Sequence, residues 1–300
     1  MWVPQFACPE CGDELDDRED DRRTCGRCDR HYMLHDGVWR FLPPGRLAAL
    51  DPFARQYRLA REREGYRVSS PDYYRQLPDV PPENPHAHEW RLRKESFMHL
   101  LRNVLAIGRS SMRILDVGAG CGWMSHRLAR LGHHLTAVDA LDDSIDGLGA
   151  SRHYQVGFVR VQADFDALPF APYQFDLVVF NGSLHYAPDI GVTLVHARQM
   201  LAPSGTLVVM DSPMFDCDRN GRAMVDDNIH CFRSGYGLPD VLHAGEGYLT
   251  FATLADAARR LTLQARFVRS RGPLRWRIGR RLAWLRLHRA PAAFGLWIAQ

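Results

Sequence analysis

The order of hydrophobic patterns after residue 111 constrains the fold more than any other feature of this sequence. Short apolar runs of strand length alternate there with stretches of helical periodicity, which is typical of a parallel sheet covered by helices. The predicted strands are 113–117, 134–139, 158–163, 175–180, 206–211, 265–269 and 294–299, and the predicted helices are 121–131, 189–201 and 251–261. A Pro-Ser-Gly turn is predicted at 203–205. The pattern predicts a seven-stranded α/β domain over residues 111–300.

A glycine-rich loop follows the first predicted strand. It reads ILDVGAGCGW, with glycines at positions 118, 120 and 122 and an acid, Asp116, ahead of them. Glycine lets the backbone approach a ligand closely at this edge of such a sheet. Trp123 stands where a dinucleotide-binding loop has its third glycine, so the G-x-G-x-x-G pattern is incomplete. The loop predicts a cofactor site that differs from a dinucleotide site.

The next two predicted strands also end in acids. Asp139 ends the second strand, where a carboxylate can accept hydrogen bonds from both hydroxyls of a ribose. A turn or a helix N-cap is the alternative role for this acid. The third strand leads into DFDALPF, which begins at Asp164, and the fourth continues into FNGSLHYAPD.

Taken in order, LDVGAGCG, TAVDA, DFDALPF, FDLVV and SLHYAPD resemble class I S-adenosylmethionine-dependent methyltransferases over residues 112–211. The nearest resemblance is to the quinone-biosynthesis enzymes of the methyltransferase type 11 group. It implies a Rossmann-like seven-stranded sheet and S-adenosylmethionine as the cofactor, whose ammonium and sulfonium charges suit an acid beside the loop. The implied cofactor contacts are Asp116, Gly118, Ala119, Gly120, Asp139, Ala140, Asp164, Phe165 and Asn181.

Methyl transfer from a sulfonium is an in-line displacement, so the enzyme mainly has to position the acceptor. A hydroxyl or an acidic carbon also needs a general base. His185 lies four residues after Asn181 and is our first candidate, because imidazole titrates near neutral pH. A role as a wall that covers the cofactor stays open for His185. Tyr186 is the second catalytic candidate.

The acceptor itself is less constrained by the sequence, which slightly favours a small molecule or a lipid-like compound. Asn181-Gly182-Ser183-Leu184 is not the Asn/Asp-Pro-Pro-aromatic motif of enzymes that methylate exocyclic base amines, and we find no Pro-Cys nucleophile. Residues 212–247 are predicted to be a long loop at the carboxyl edge of the sheet, where a substrate binds. Its candidate lining residues are Arg222, Asp226, His230 and Tyr236.

Four of the seven cysteines form two Cys-x2-Cys pairs near the N-terminus: Cys8, Cys11, Cys25 and Cys28. Four thiolates at this spacing match the tetrahedral preference of structural zinc. Two disulfides or free thiols are the alternative. The segment up to Leu42-Pro43 resembles the zinc-ribbon activator subunit of tRNA and release-factor methyltransferases. The predicted division is a ribbon over 1–44, a helical linker or lid region over 45–110, and the methyltransferase domain over 111–300.

The linker region is predicted to hold two helices. One begins with Asp51 as its N-cap and Pro52 in its first turn, and the other covers 88–107 and ends at Gly108. Residues 69–85 between them are predicted to be a loop. The second helix either packs on the sheet of the next domain, or Tyr57, Arg61, Tyr66 and Trp90 help to roof the site.

Residues 266–289 carry nine arginines and no acid. The stretch is either a solvated amphipathic helix, an RNA contact or a membrane-surface contact. One alternative function is therefore an RNA methyltransferase. A second alternative is a non-catalytic cofactor-binding scaffold, in which the ribbon recruits a protein partner. The ribbon followed by a methyltransferase domain also resembles a bacterial ribosomal-RNA guanine methyltransferase, although Cys28 stands where that family has a histidine. We find no transmembrane segment and no secretory signal, so the expected location is the cytoplasm.

Overall fold

The computed structural model describes residues 2–105, 110–237, 245–270, 278–279, 284 and 289–300. The helices among them are α1 (Pro44–Arg63), α2 (Pro71–Gln76), α3 (Ala87–Asn103), α4 (Trp123–Arg130), α5 (Ile190–Met200), α6 (Asp218–Tyr236) and α7 (Phe251–Arg260). The strands are β1 (Leu15–Asp16), β2 (Arg22–Cys25), β3 (His31–His35), β4 (Val38–Arg40), β5 (Arg113–Val117), β6 (His134–Asp139), β7 (Val159–Gln162), β8 (Phe175–Asn181), β9 (Leu201–Met210), β10 (Met214–Phe215), β11 (Leu249–Thr250), β12 (Ala265–Arg269) and β13 (Gly295–Ala299).

The seven strands predicted after residue 111 are consecutive neighbours in one sheet, in the order β7-β6-β5-β8-β9-β13-β12. The first five are parallel, while β13 runs antiparallel to β9 and to β12. The predicted α/β fold is therefore confirmed. The order reverses between β5 and β8, and the carboxyl ends of parallel strands at such a reversal form a crevice for ligands.

Helices cover both faces of this sheet. Alternate residues of each central strand point to opposite faces, so Val117 packs in the core with α5 and α7, whereas Ile114 packs in the core with α3 and α4. Because both faces are buried, the central strands are apolar almost throughout. This burial holds the carboxyl ends of the strands in fixed register.

The N-terminal segment extends the same sheet. Its strand β4 pairs in parallel with β7, with Trp39 opposite Val161, and β1, β2 and β3 continue the sheet outward. Phe6 packs against Trp39 and against Phe170, which belongs to the segment after β7. The segment is thus continuous with the sheet and shares its core. The predicted division at residues 44 and 110 stays a prediction.

Three predictions about local structure are wrong. The helix predicted from Asp51 begins earlier, at Pro44, and runs through Pro52, since one proline removes a single backbone donor and the long helix tolerates it. Residues 69–85 contain the short helix α2. The predicted turn at 203–205 is part of β9, where a shift in register with β8 absorbs the extra residues.

The prediction of a long loop over 212–247 is also wrong, because most of the described residues in this range form helix α6. Its polar sequence and its glycines hide the helix from pattern analysis. Gly221 is needed there for packing: a Cβ atom on this residue would lie 2.2 Å from the ring of Tyr248. No helix among the described residues is long and apolar enough to cross a membrane.

One buried histidine allows a test of the core around α4. His126 is 2% exposed, its ring stacks on Tyr154 at 4.3 Å, and neither ring nitrogen has a hydrogen-bond partner among the described residues. Burial, reinforced by Arg127 and Arg130, lowers the pKa of His126 from 6.5 to about 4. Between these two pKa values, the imidazole of His126 therefore binds a proton in the unfolded chain and stays neutral in the folded chain.

We expect the free energy of unfolding to fall by about 2 kcal/mol more between pH 7 and pH 5 in the wild type than in His126→Phe, which keeps the ring stack. Urea unfolding at the two pH values measures this difference. An equal loss in both proteins would show that His126 is not buried in its neutral form.

Candidate active site

The carboxyl ends of β5, β6, β8 and β9 open into two adjoining chambers of about 260 and 280 Å³. One of them, which we name the carboxylate chamber, has Asp139, Asp164 and Asp166 among its lining residues. The other one, which we name the aromatic chamber, has five tyrosines and two tryptophans among its lining residues. Both chambers share the residues Tyr57, Gly118, Gly120, Gly182 and Tyr186. They therefore meet at the glycine loop and form one continuous cleft.

The glycine loop has the conformation that its sequence indicates. Gly118, Gly120 and Gly122 have φ values of +74°, +53° and +73°, in the left-handed region that favours glycine. A Cβ atom on Gly118 would lie 2.2 Å from the Cβ atom of Ser183. At Gly120 the nearest atom to such a Cβ is 4.0 Å away, so the backbone here faces open space in the cleft. The loop thus offers a cradle for a ligand.

Asp139 holds the far end of this loop. Its carboxylate accepts hydrogen bonds from the backbone N–H groups of Gly120 and Leu141, each at 2.8 Å. Burial raises the pKa of Asp139 to about 6, and the backbone donors oppose that rise. The residue lines the carboxylate chamber and keeps lone pairs for a ligand.

Asp116 lies beneath the loop and lines neither chamber. It is fully buried, and its Oδ2 accepts a hydrogen bond from Ser125 at 2.8 Å. Its Oδ1 has no partner among the described residues, and burial raises the pKa of Asp116 to about 7. Its position suits support of the loop. Its role as a direct cofactor contact stays a prediction.

Asp164 also lines the carboxylate chamber, together with Phe165 and Ala140. The guanidinium of Arg46, on α1, donates to both carboxylate oxygens of Asp164, at 2.6 and 3.0 Å. The sequence analysis missed Arg46. Its bond to Asp164 shows that α1 covers the chamber.

Two further arginines attach α1 and the segment after it to the acidic loop that follows β6. Arg61 donates to both oxygens of Asp146, at 2.8 and 3.2 Å, and Arg67 donates to both oxygens of Asp143, at 3.0 and 3.3 Å. Arg61, Arg67, Asp143 and Asp146 are largely buried, where such paired bonds are stronger than at an exposed surface. The cluster of acids at 142–146 is the only sequence signal for this attachment.

The aromatic chamber lies on the other side of the glycine loop. Its rings come from α1, α2, α3, the start of α4 and the segments that follow α1 and β8, and two arginines also line it. The aromatic and cationic lining residues are Tyr57, Tyr66, Tyr73, Tyr74, Trp90, Trp123, Tyr186, Arg61 and Arg93. The predicted roof residues Tyr57, Arg61, Tyr66 and Trp90 are all among them. The chamber suits a flat organic molecule.

The two catalytic candidates lie where the chambers join. His185 lines the aromatic chamber, and its Nδ1 is 3.1 Å from the hydroxyl of Ser212. Tyr186 lines both chambers, and Asn181 and Ala119 line the aromatic one. The structure therefore brings together every predicted cofactor and catalytic residue except Asp116 along one cleft.

The candidate acceptor residues on α6 are not in this cleft. Arg222, Asp226 and His230 are exposed and line neither chamber. Tyr236 contacts Arg63 at the end of α1. Most of the arginine-rich stretch 266–289 lies outside the described residues.

The four N-terminal cysteines converge at the start of the sheet. One thiol from each of Cys8, Cys11, Cys25 and Cys28 lies within 4.8 Å of the others, and the Cys11 and Cys25 sulfurs are 3.6 Å apart. Sulfurs bound to one tetrahedral zinc ion at 2.3 Å lie about 3.8 Å apart. The backbone N–H of Cys28 also points at the sulfur of Cys25, at 3.4 Å. The donor set and its spacing fit a single zinc ion.

Comparison with known protein families identifies residues 89–285 as a methyltransferase domain. The chain is 35% identical over 106 residues to the ubiquinone biosynthesis O-methyltransferase of Xylella fastidiosa strain M23, which covers 34% of this chain and 43% of that protein. It is 25% identical over 161 residues to the malonyl-[acyl-carrier protein] O-methyltransferase of Erwinia billingiae strain Eb661, which covers 53% of this chain and 57% of that protein. The chain thus spans about half the length of these curated relatives.

Among solved structures, the plantazolicin methyltransferase BpumL, in complex with a monoazolic desmethylPZN analog and SAH, matches with a TM-score of 0.51 and 11% identity. The match covers 85% of this chain and 93% of that one. At this identity the likeness shows the fold alone.

Proposed function

Because the chain belongs to the class I S-adenosylmethionine-dependent methyltransferases, we propose that it transfers the methyl group of S-adenosylmethionine to an oxygen of a small, flat acceptor. The observation that carries this proposal is the cleft, in which a carboxylate chamber and an aromatic chamber meet at one glycine loop. A bound S-adenosylmethionine supplies a methyl group on a sulfonium, a good leaving group. The residues of the chain then have to hold two molecules in line.

The carboxylate chamber is the proposed site of the adenosine half of the cofactor. Asp139 accepts from the ribose hydroxyls, and Asp164 with Phe165 faces the adenine. The open backbone at Gly120 admits the methionine half, which brings the methyl group to the junction of the chambers beside Asn181. In this arrangement Arg46 has to share Asp164 with the adenine amino group.

The aromatic chamber is the proposed acceptor site. Its rings offer stacking surfaces to a planar molecule, and Arg93 adds a positive charge that forms no ion pair with a described carboxylate. The names of the two relatives both specify O-methylation, one in ubiquinone biosynthesis and one of a malonyl group on its carrier protein. Both names support an oxygen acceptor, and the first name together with the chamber supports a small molecule.

His185 and Tyr186 stay our proposed catalytic candidates. Both border the point where the methyl group would pass from one chamber to the other. The hydrogen bond between His185 and Ser212 fixes the ring, which suits a wall as well as a base.

We also propose a structural zinc ion held by Cys8, Cys11, Cys25 and Cys28. Four protein ligands leave no open position on the metal, so its role is to hold β1–β4 together. A cytoplasmic location, which we propose for this protein, keeps such thiols reduced and available to metal.

The test is transfer of label from methyl-labelled S-adenosylmethionine into an extract of the host cell. We expect labelled material that resists ribonuclease and protease and that partitions as a small molecule. Asp139→Ala, which loses the proposed ribose contact, is the matched negative control. Label released by ribonuclease would contradict the small-molecule acceptor, and cofactor binding without any transfer would favour the scaffold alternative.

A further inference from the structure

Asp211 is a buried acid of the cleft that the sequence analysis did not single out. It follows β9 directly and lines the aromatic chamber. It adjoins the end of β8, where the N–H of Gly182 donates to the carbonyl of Met210 at 2.8 Å. Asn181 lines the aromatic chamber and Gly182 lines both chambers, so Asp211 lies next to the junction of the two chambers.

The backbone at Asp211 is strained. Its φ is +54°, in the left-handed region that residues other than glycine seldom adopt. Strain of this kind persists only where the surrounding structure enforces it, and it concentrates at functional sites. The side chain of Asp211 reaches Ser96 of α3, and the residue lines the aromatic chamber.

Ser96 of α3 orients the carboxylate. Ser96 is 1% exposed, and its hydroxyl donates to Oδ1 of Asp211 at 2.5 Å. Oδ2 is buried and has no hydrogen-bond partner among the described residues. A buried hydrogen-bond acceptor without a donor destabilises the protein. A ligand that donates a hydrogen bond to Oδ2 would remove this penalty. A hydroxyl is such a donor.

We propose that Asp211, positioned by Ser96, is the general base that removes the proton of an acceptor hydroxyl, and that His185 then serves as a wall of the site. The inference rests on the proposed function and deepens it. In the step, the acceptor O–H bond breaks and its proton moves to the Asp211 carboxylate. The acceptor oxygen forms a bond to the methyl carbon, and the sulfur keeps the electron pair of the broken S–CH₃ bond to become a neutral thioether. Solvent later removes the proton from Asp211.

The charges around Asp211 suit this role. Burial raises the pKa of Asp211 to about 6, and the Ser96 bond and the charge of Arg93 limit that rise. At neutral pH the group is thus mostly ionised but basic enough to take a proton.

The other polar groups that face Asp211 do not replace it. Arg93 and Ser96 face it from α3, and Ser270 lies 3.4 Å from the Ser96 hydroxyl. Ser212, the next residue in the chain, is paired with His185. Across the chamber, Arg61 and Asp146 pair with each other. A carboxylate acceptor would be repelled by Asp211, so the acceptor class is a neutral hydroxyl on a flat ring, such as a phenol.

The experiment uses phenol and 4-nitrophenol as acceptor probes with the full-length protein. In Asp211→Asn we expect methylation of phenol to fall about 100-fold or more at saturating probe, with little change in KM. The loss should be smaller for the more acidic 4-nitrophenol, and the decline of the wild-type rate below pH 6 should disappear. Asn tolerates a left-handed φ and keeps the oxygen that Ser96 bonds, so the variant should fold.

Three controls make the outcome decisive. His185→Gln should keep the decline in rate below about pH 6. Ser96→Ala should lower the rate and shift the pH at which this decline occurs. Ser96→Thr should restore both the rate and that pH. Absorbance of 4-nitrophenol bound to the complex with S-adenosylhomocysteine reports its ionisation without turnover. We expect the bound probe to have a higher pKa in the wild type than in Asp211→Asn.

Equal rates, equal pH profiles or equal pKa values of the bound probe in the two proteins would overturn the assignment of Asp211. Failure of the probe to bind the wild-type complex would overturn it as well. Calorimetry with S-adenosylhomocysteine separates the two levels: if the wild type does not bind it, the proposed function fails, and if it binds normally, only the role of Asp211 fails.

Discussion

Asp139→Ala should bind S-adenosylhomocysteine roughly 100-fold or more weakly than the wild type. The substitution removes the carboxylate proposed to accept from both ribose hydroxyls, and hydrogen bonds to a charged group contribute ~1.5–3 kcal/mol each. It also removes the bonds from the N–H groups of Gly120 and Leu141 that fix the glycine loop. Isothermal titration calorimetry at pH 7.5 measures the affinity.

Unfolding should not explain this loss. Because burial raises the pKa of Asp139 to about 6, its ionised form destabilises the fold at neutral pH, and removing the charge offsets part of the lost hydrogen bonding. Asp142→Ala is the matched control. It removes a carboxylate three positions away that pairs with Arg40 and lines neither chamber. Wild-type affinity in Asp139→Ala, or an equal loss in both variants, would contradict the proposed ribose site.

The second large effect should follow loss of one cysteine ligand. We expect purified protein to contain one zinc ion per chain and Cys25→Ser to lose it, with a fall in melting temperature of about 10 °C or more. Structural zinc contributes ~10–16 kcal/mol of apparent binding free energy in small peptides, and Cys25 is fully buried at the centre of the site. Elemental analysis and thermal unfolding measure the two quantities.

The effect of losing this cysteine should extend beyond β1–β4. Strand β4 pairs with β7, whose end leads to Asp164, and α1 begins four residues after β4. Loosening β1–β4 therefore frees Arg46 and weakens cofactor binding as well. Cys231→Ser, on exposed α6, is the control and should retain zinc and stability. Protein that contains no metal and two disulfides would contradict the zinc site.

The central sheet was predictable because each of its strands is marked by its own residues. The runs at 113–117 and 134–139 are apolar over nearly their whole length, and a strand buried on both faces tolerates little else. The glycines at 118, 120 and 122 were also legible, because only glycine adopts a positive φ there without strain. A local constraint of this kind limits which residue types can occupy a position, so the sequence itself shows it.

The sequence shows no such constraint for helix α6, since an exposed helix needs no regular apolar face and this one is mostly polar. The attachment of α1 was equally hidden, because Arg61 and Asp146 are 85 positions apart and neither is unusual in its own segment. Asp211 looked like the polar end of a strand. Its significance depends on Ser96, which comes from a helix 115 positions earlier in the chain.

The sequence by itself thus determined the α/β sheet, the family, the glycine cradle and the four cysteines, because each depends on residues close together in the chain. Only the tertiary structure determined which charged side chains contact each other. It joined the N-terminal strands to the sheet, set Arg46 on Asp164 and buried Asp211 beside Ser96 in the aromatic chamber. Pairing across the fold depends on how the helices pack over the ends of the strands, and no local pattern encodes that arrangement.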